Sequence, residues 1–242
     1  MHNNAVLEFN EVSVSGILAP TSFEVHSGEV HVIGGGDHEA KVAIALLLAG
    51  RMRTYHGLVA FRNQTLTTNQ TKKILQNTTA LIDVDEVSAP DPEAKFSNFL
   101  KEELEFSGQK PLNSTVHQLL QKYSQGHYLD TMIAEIPKDL YLRLYLEIAS
   151  TRAKVDTLVL FEPDRYDDYA EAWPGLVEEY HDKGFTVIVI LRLQSALAYT
   201  NRVIRLGQAN PNFGSNVESD NTSIETDSAA SISNSSDRDE LA

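Results

Sequence analysis

The stretch Gly28–Gly50, GEVHVIGGGDHEAKVAIALLLAG, constrains the fold more than any other part of the chain. His31-Val32-Ile33 reads as a short buried strand. Gly34 to Asp37 then forms a tight turn, because glycine tolerates positive φ. Ala40 to Ala49 is a nearly unbroken run of small and apolar residues, with Lys41 near its start. Strand, glycine turn and helix in this order aim the free N–H groups of the helix N-terminus beyond the turn. Such a turn can receive an anion or can simply begin a buried helix. The residues alone leave both open.

The rest of the chain narrows the class. Its 242 residues suit one large domain, and 42% apolar residues allow a substantial core. There is no cysteine, which excludes disulfides, thiolate metal sites and thiol nucleophiles. No metal-ligating set is read elsewhere. The start, MHNNAVLEFN, lacks the basic and apolar regions of a signal peptide. No apolar run reaches the ~18 residues of a membrane span. A net charge of −14 argues against a broad nucleic-acid surface, so no nucleic acid is expected as a partner. Part of that charge sits in residues 209–242, a Ser/Asn-rich tail. There Glu218, Asp220, Glu225, Asp227, Asp237, Asp239 and Glu240 face only Arg238. With little to bury, this tail is expected to be disordered.

Read in order, Ala5–Val14 alternates apolar and polar residues as a half-buried strand does, and Thr21–Val25 follows as a second strand. Leu58–Phe61 and Ala80–Val84 are further strands, with the polar segment Thr65–Asn77 between them. Phe96–Phe106 and Val116–Tyr123 have helical spacing, so about 85–150 reads as a helical insertion. Asp139 is placed to cap a helix over Leu140–Ser150. Thr157–Phe161 and Phe185–Leu191 are continuous apolar runs, the mark of central parallel strands. Tyr169–Lys183 is a helix with an awkward Pro174, which points to a late start. Gln194–Tyr199 is a short helix and Val203–Leu206 a final strand. Strands alternating with helices favour an α/β core.

The glycine turn overlaps the phosphate-loop pattern G-x-x-x-x-G-K-[ST]. Gly35 and Lys41 match. Ala40 replaces the second glycine, and Val42 stands where a hydroxyl would ligate magnesium. Farther on, TLVLFEPDRYDD places an apolar strand before Glu162-Pro163, with Asp168 shortly after. In order and spacing these segments resemble the ATP-binding subunit of ABC transporters. The resemblance runs from about Leu7 to Leu206. It is carried by SFEVHSGEVHVI, the LLAG end of the helix, the FEP turn and TVIVI…SALAYTNRVIRL.

The resemblance implies an α/β fold, a P-loop NTPase-like core over residues 1–208 with a parallel or mixed sheet and a helical subdomain at about 85–150. It implies a nucleotide-binding set of Gly35, Gly36, Asp37, His38, Lys41 and Val42. Glu162 matches the water-activating glutamate, although a salt-bridged strand-end carboxylate is equally consistent with it. Lys138 and Asp139 fall in the signature segment, of which none of the usual residues is kept. Asp168 matches the aspartate that communicates across the dimer, and Arg192 takes the switch-histidine place. Asp83, Asp85 and Glu86 crowd the glutamine-loop position. VSVSGI offers Ser15 and Gly16 where an aromatic would stack on adenine. ATP is the implied cofactor, with weak or no dependence on Mg2+. The implied partners are a membrane permease subunit and a second cassette, either a copy or an intact ABC ATPase. The implied location is the cytoplasmic face of a membrane, with Phe96, Phe99, Leu100 and Leu104 as apolar docking contacts. Two functional readings follow: a degenerate scaffold or regulator, and an active ATPase coupling hydrolysis to transport.

Overall fold

A computed structural model describes residues 5–54, 56–62, 64–65, 68–166 and 172–210. Two sheets pack on either side of the helix that follows the glycine turn. The first is antiparallel: β1 (Ala5–Val14), β2 (Leu18–His26), β4 (His56–Phe61) and β5 (Gln64–Thr65), in the order β2-β1-β4-β5. The second is parallel: β3 (Val30–Gly34), β6 (Thr79–Ile82), β7 (Thr157–Phe161), β8 (Thr186–Leu191) and β9 (Val203–Arg205), in the order β6-β7-β8-β3-β9. The two apolar runs read as central strands are adjacent there, with Thr157 opposite Thr186 and Phe161 opposite Ile190.

Continuous apolar strands are explained by burial on both faces. Leu158, Leu160, Val187, Val189 and Val32 face one core, shared with the helical arm. Val159, Phe161, Ile188, Ile190 and Ile33 face the other, shared with α1 (His38–Leu48) and the antiparallel sheet. The arm comprises α3 (Phe96–Phe106), α4 (Asn113–Lys122) and α5 (Lys138–Ser150). Phe99 joins α3 to α5, its ring 5.0 Å from Tyr145 and 5.5 Å from Tyr141. The arm therefore packs directly into the core on that face of the parallel sheet.

Two expectations are corrected, and a helix is found where the sequence marks only a polar segment. Thr68–Thr78 is a helix, α2, although its sequence TNQTKKILQNT reads as polar; Thr71 and Leu75 are its buried contacts. The helix after Pro137 begins at Lys138, so Asp139 lies in its first turn and makes no cap. An acid there still complements the helix dipole. Phe96, Phe99, Leu100 and Leu104 are all buried and hold the arm rather than face a partner. The late start expected from Pro174 is present: α6 (Trp173–Asp182) carries the proline in its first turn, where a missing N–H costs nothing. The last helix among the described residues, α7 (Leu193–Tyr199), leads to β9. Ala209 pairs with Ser22, and Asn210 Nδ2 donates to the Ser22 carbonyl at 2.9 Å. The tail beyond Asn210 lies outside the described residues. No helix among the described residues is long and apolar enough to cross a membrane.

Candidate functional site

The site lies where β3, β6, β7 and β8 end. Gly35 and Gly36 turn the chain with φ of +87° and +71°. At Gly36 a side chain would also sit 3.0 Å from Ala40 Cβ and 3.1 Å from Leu206 Cδ1, so the residue must be small. Asp37 is the N-cap of α1. Its carboxylate accepts from the Ala40 N–H at 2.9 Å. An anion from the chain itself thus occupies one of the donors that a phosphate would use.

Lys41 is buried and does not point to solvent. Its Nζ donates to Glu162 Oε1 across the gap between α1 and the end of β7. Glu162 is itself buried, in the left-handed backbone region at φ 41°. Its N–H donates to the Ile190 carbonyl at 2.7 Å, which ties the strand end to β8. Its second oxygen, Oε2, lies 3.4 Å from Nδ1 of His38. The His38 ring stands edge-on to Phe161 at 5.6 Å, and its Nε2 is 3.6 Å from Asp85. Val42 packs against the α1 core and presents no oxygen. The structure therefore brings Gly35, Gly36, Asp37, His38, Lys41 and Glu162 together.

Arg192 caps the neighbouring strand end. It donates from Nε to Asp164 Oδ2 at 3.0 Å and from its backbone N–H to the same oxygen at 3.2 Å. It also bonds the Asp164 carbonyl. Part of the guanidinium is thereby engaged with the turn after β7.

Lys138 stands at a second cluster, centred on Asp83, while its neighbour Asp139 is exposed. The Asp83 carboxylate is 2% exposed, with φ 64°, at the end of β6. Tyr141 Oη donates to its Oδ1 at 2.6 Å; Tyr166 Oη at 2.9 Å and Arg165 at 2.8 Å donate to Oδ2. Lys138 Nζ lies 5.0 Å from the Tyr166 ring and 5.5 Å from the Tyr141 ring, in cation–π range. Burial pushes the Asp83 carboxyl up, while Arg165 and the two hydroxyls pull it partway back. Burial and the nearby Asp83 push the Tyr166 phenol up to about 12. Arg165 also lies 3.1 Å from Asp85, which links the two clusters through His38. Asp168 lies outside the described residues.

Two features were missed in the sequence. The Lys41–Glu162 pair joins residues 121 apart, and no local pattern announces it. The Asp83 cluster is equally silent, since Tyr141, Arg165 and Tyr166 lie 58 to 83 residues from Asp83 in the chain.

No protein-family model matches the chain, and no curated protein matches it in sequence. Solved structures do match its fold. One is cbiO1 from Clostridium perfringens, part of the ABC transporter complex cbiONQ, with 16% identity, 86% of this chain and 87% of that one covered, and a TM-score of 0.60. A nucleotide-free ATP-binding cassette from an ABC transporter gives 17% identity, coverage of 84% and 89%, and a TM-score of 0.57. MJ0796, a bacterial ABC transporter cassette in dimeric form, gives 14% identity, coverage of 85% and 96%, and a TM-score of 0.60. The chain has the α/β fold of ABC transporter ATP-binding cassettes.

Proposed function

We propose that this chain is an ABC-type cassette subunit whose phosphate site is closed from within, serving a membrane transporter complex as a non-hydrolytic or weakly nucleotide-binding scaffold or regulator. The buried pair of Lys41 and Glu162 carries this reading. A phosphate lysine needs its charge free for phosphate, and a water-activating glutamate needs a water beside it. Here each is spent on the other. Asp37 adds a negative charge at the helix N-terminus, and Val42 and Phe161 offer magnesium no oxygen. Phosphoryl transfer depends on positioning and electrostatic stabilisation, so losses at lysine, metal and signature segment remove most of its support. ATP binds weakly on this reading, with little dependence on Mg2+.

The partners follow from the structural relatives. cbiO1 is part of a transporter complex and MJ0796 is dimeric. By analogy this chain docks on a permease at the cytoplasmic face of a membrane and pairs with a copy or an intact cassette. With Phe99 buried, the docking candidate moves to Phe106, which is 74% exposed at the end of α3. Its ring borders a cavity of about 250 Å³ that Val87, Pro90, Glu102 and Arg152 also line. An exposed aromatic beside a concavity is the kind of anchor that interfaces use.

Capture from detergent-solubilised membranes tests the reading. Wild type and Glu162→Gln should both retain a permease, and Phe106→Asp should lose it. If wild type captures no membrane protein, and purified chain turns over ATP in a Glu162-dependent way, the active ATPase reading replaces this one.

A further inference from the structure

The other end of β3 carries a separate cluster. β2 ends at His26 in the antiparallel sheet, and β3 begins at Val30 in the parallel sheet. The turn between them is firmly held. Gly28, at φ +70°, donates its N–H to Thr186 Oγ1 at 2.9 Å, and the Glu29 carbonyl accepts from Val187 at 3.0 Å. His31 is buried, and its Nε2 accepts from the His26 N–H at 2.9 Å while lying 3.2 Å from the His26 carbonyl. Nε2 is thus held against the His26 backbone; in the tautomer that carries the proton there it donates to the His26 carbonyl, which leaves the Nδ1 lone pair for a metal, the arrangement metal-bound imidazoles commonly have.

One ligand atom each from His26, Glu29 and His31 lies within 4.8 Å of the others. The His26 and His31 rings are nearly parallel, with centroids 6.0 Å apart. Zinc–ligand bonds of about 2.0–2.2 Å put donors roughly 3.4 Å apart in a tetrahedron. The gap must therefore contract, and the exposed Glu29 side chain is free to make that move. The surroundings favour a cation. Glu24 lies 3.5 Å from His26 Nε2, and it pairs across the β1–β2 ladder with Glu8. Like charges directly opposite one another in a ladder are unfavourable, and a nearby cation offsets them.

We propose that His26, Glu29 and His31 form a site for a divalent transition metal of the zinc class, clamping the junction of the two sheets. Two imidazoles and a carboxylate are donors that such ions accept, and the exposed Glu29 side leaves room for a water as the fourth ligand. The spacing H-x-x-E-x-H is inconspicuous in the sequence because the three residues straddle a turn rather than one helix face. The site is independent of the proposed transporter role, since it lies at the N-terminal end of β3 and the phosphate loop at the other.

Full-length chain, stripped with chelator, should be titrated with Zn2+ by calorimetry and with Co2+ by visible absorption. Wild type should take one equivalent of Zn2+, give the intense visible bands of four-coordinate Co2+, and melt at higher temperature with Zn2+ present, as any ligand selective for the folded state requires. His31→Ala risks the fold because the ring is buried, so His26→Gln and Glu29→Gln are the informative variants. Each should lower Zn2+ affinity at least about tenfold and abolish the Co2+ bands. Unchanged Zn2+ affinity in both variants, or unsaturable binding without Co2+ bands, would mean adventitious surface coordination and overturn the proposal.

Discussion

Two buried carboxylates stand at the tips of adjacent parallel strands, Asp83 after β6 and Glu162 after β7. Both adopt the left-handed backbone conformation, at φ 64° and 41°, and each faces a cation. Their remaining partners differ. Asp83 also accepts from Tyr141, on the arm helix α5, and from Tyr166, beyond β7. Among the described residues the Glu162 carboxylate has only Lys41 and a half-exposed His38, beside the glycine loop. A carboxylate that accepts from three side chains is fixed structure. A carboxylate held by one lysine and a half-exposed histidine is less firmly fixed. The same residue class at equivalent strand ends thus does different work, decided by how many donors converge on it.

The largest effect that this comparison predicts is on stability. Asp83→Ala leaves the half-buried Arg165 with Asp85 for its carboxylate partner and takes the acceptor away from the Tyr141 and Tyr166 hydroxyls, and should lower unfolding free energy by about 2–4 kcal/mol in urea denaturation. Glu162→Ala strands only Lys41, whose amine can turn into the loop, and should lower it by about 1–3 kcal/mol. Equal losses would erase the distinction. Tyr141→Phe removes one of the donors on Asp83 and should lower it by about 0.5–1.5 kcal/mol.

A pH series sharpens the comparison further. Burial raises the folded carboxyl of Asp83 above its unfolded range. The folded state therefore holds this proton more tightly than the unfolded chain does. Its contribution to stability is complete below the unfolded value and is lost as pH rises through the folded one. Relative to Asp83→Asn, wild type should gain stability as pH falls from neutral towards the unfolded carboxylate range. A gain with rising pH instead would mean that the ion pair with Arg165 outweighs burial.

The contrast also marks what the sequence could disclose. Scaffold was legible because it is periodic: TLVLF and TVIVIL announce strands buried on both faces, and GGGDHEAK announces the turn into α1. Helix α2 was not, since its single buried stripe of Thr71 and Leu75 is too sparse against polar neighbours. The docking contacts were misplaced for a related reason. Apolar spacing over Phe96–Leu104 identifies a buried face but not what it is buried against, and that proved to be the arm itself. At the site, the residue positions were legible from the glycine loop and the strand end. The pairing of Lys41 with Glu162 was not, because it depends on how closely α1 and β7 approach.

The central claim is that Glu162 occupies the charge of Lys41 and so closes the phosphate site. Calorimetric titration of ATP into wild type and Glu162→Gln, each with and without Mg2+, tests it most directly. Wild type should bind weakly and show no requirement for Mg2+. Glu162→Gln frees the lysine charge and removes a competing anion, and should bind ATP about tenfold more tightly, a gain of about 1.4 kcal/mol. Micromolar binding by wild type that strictly requires Mg2+, left unchanged or weakened in Glu162→Gln, would contradict the closed site.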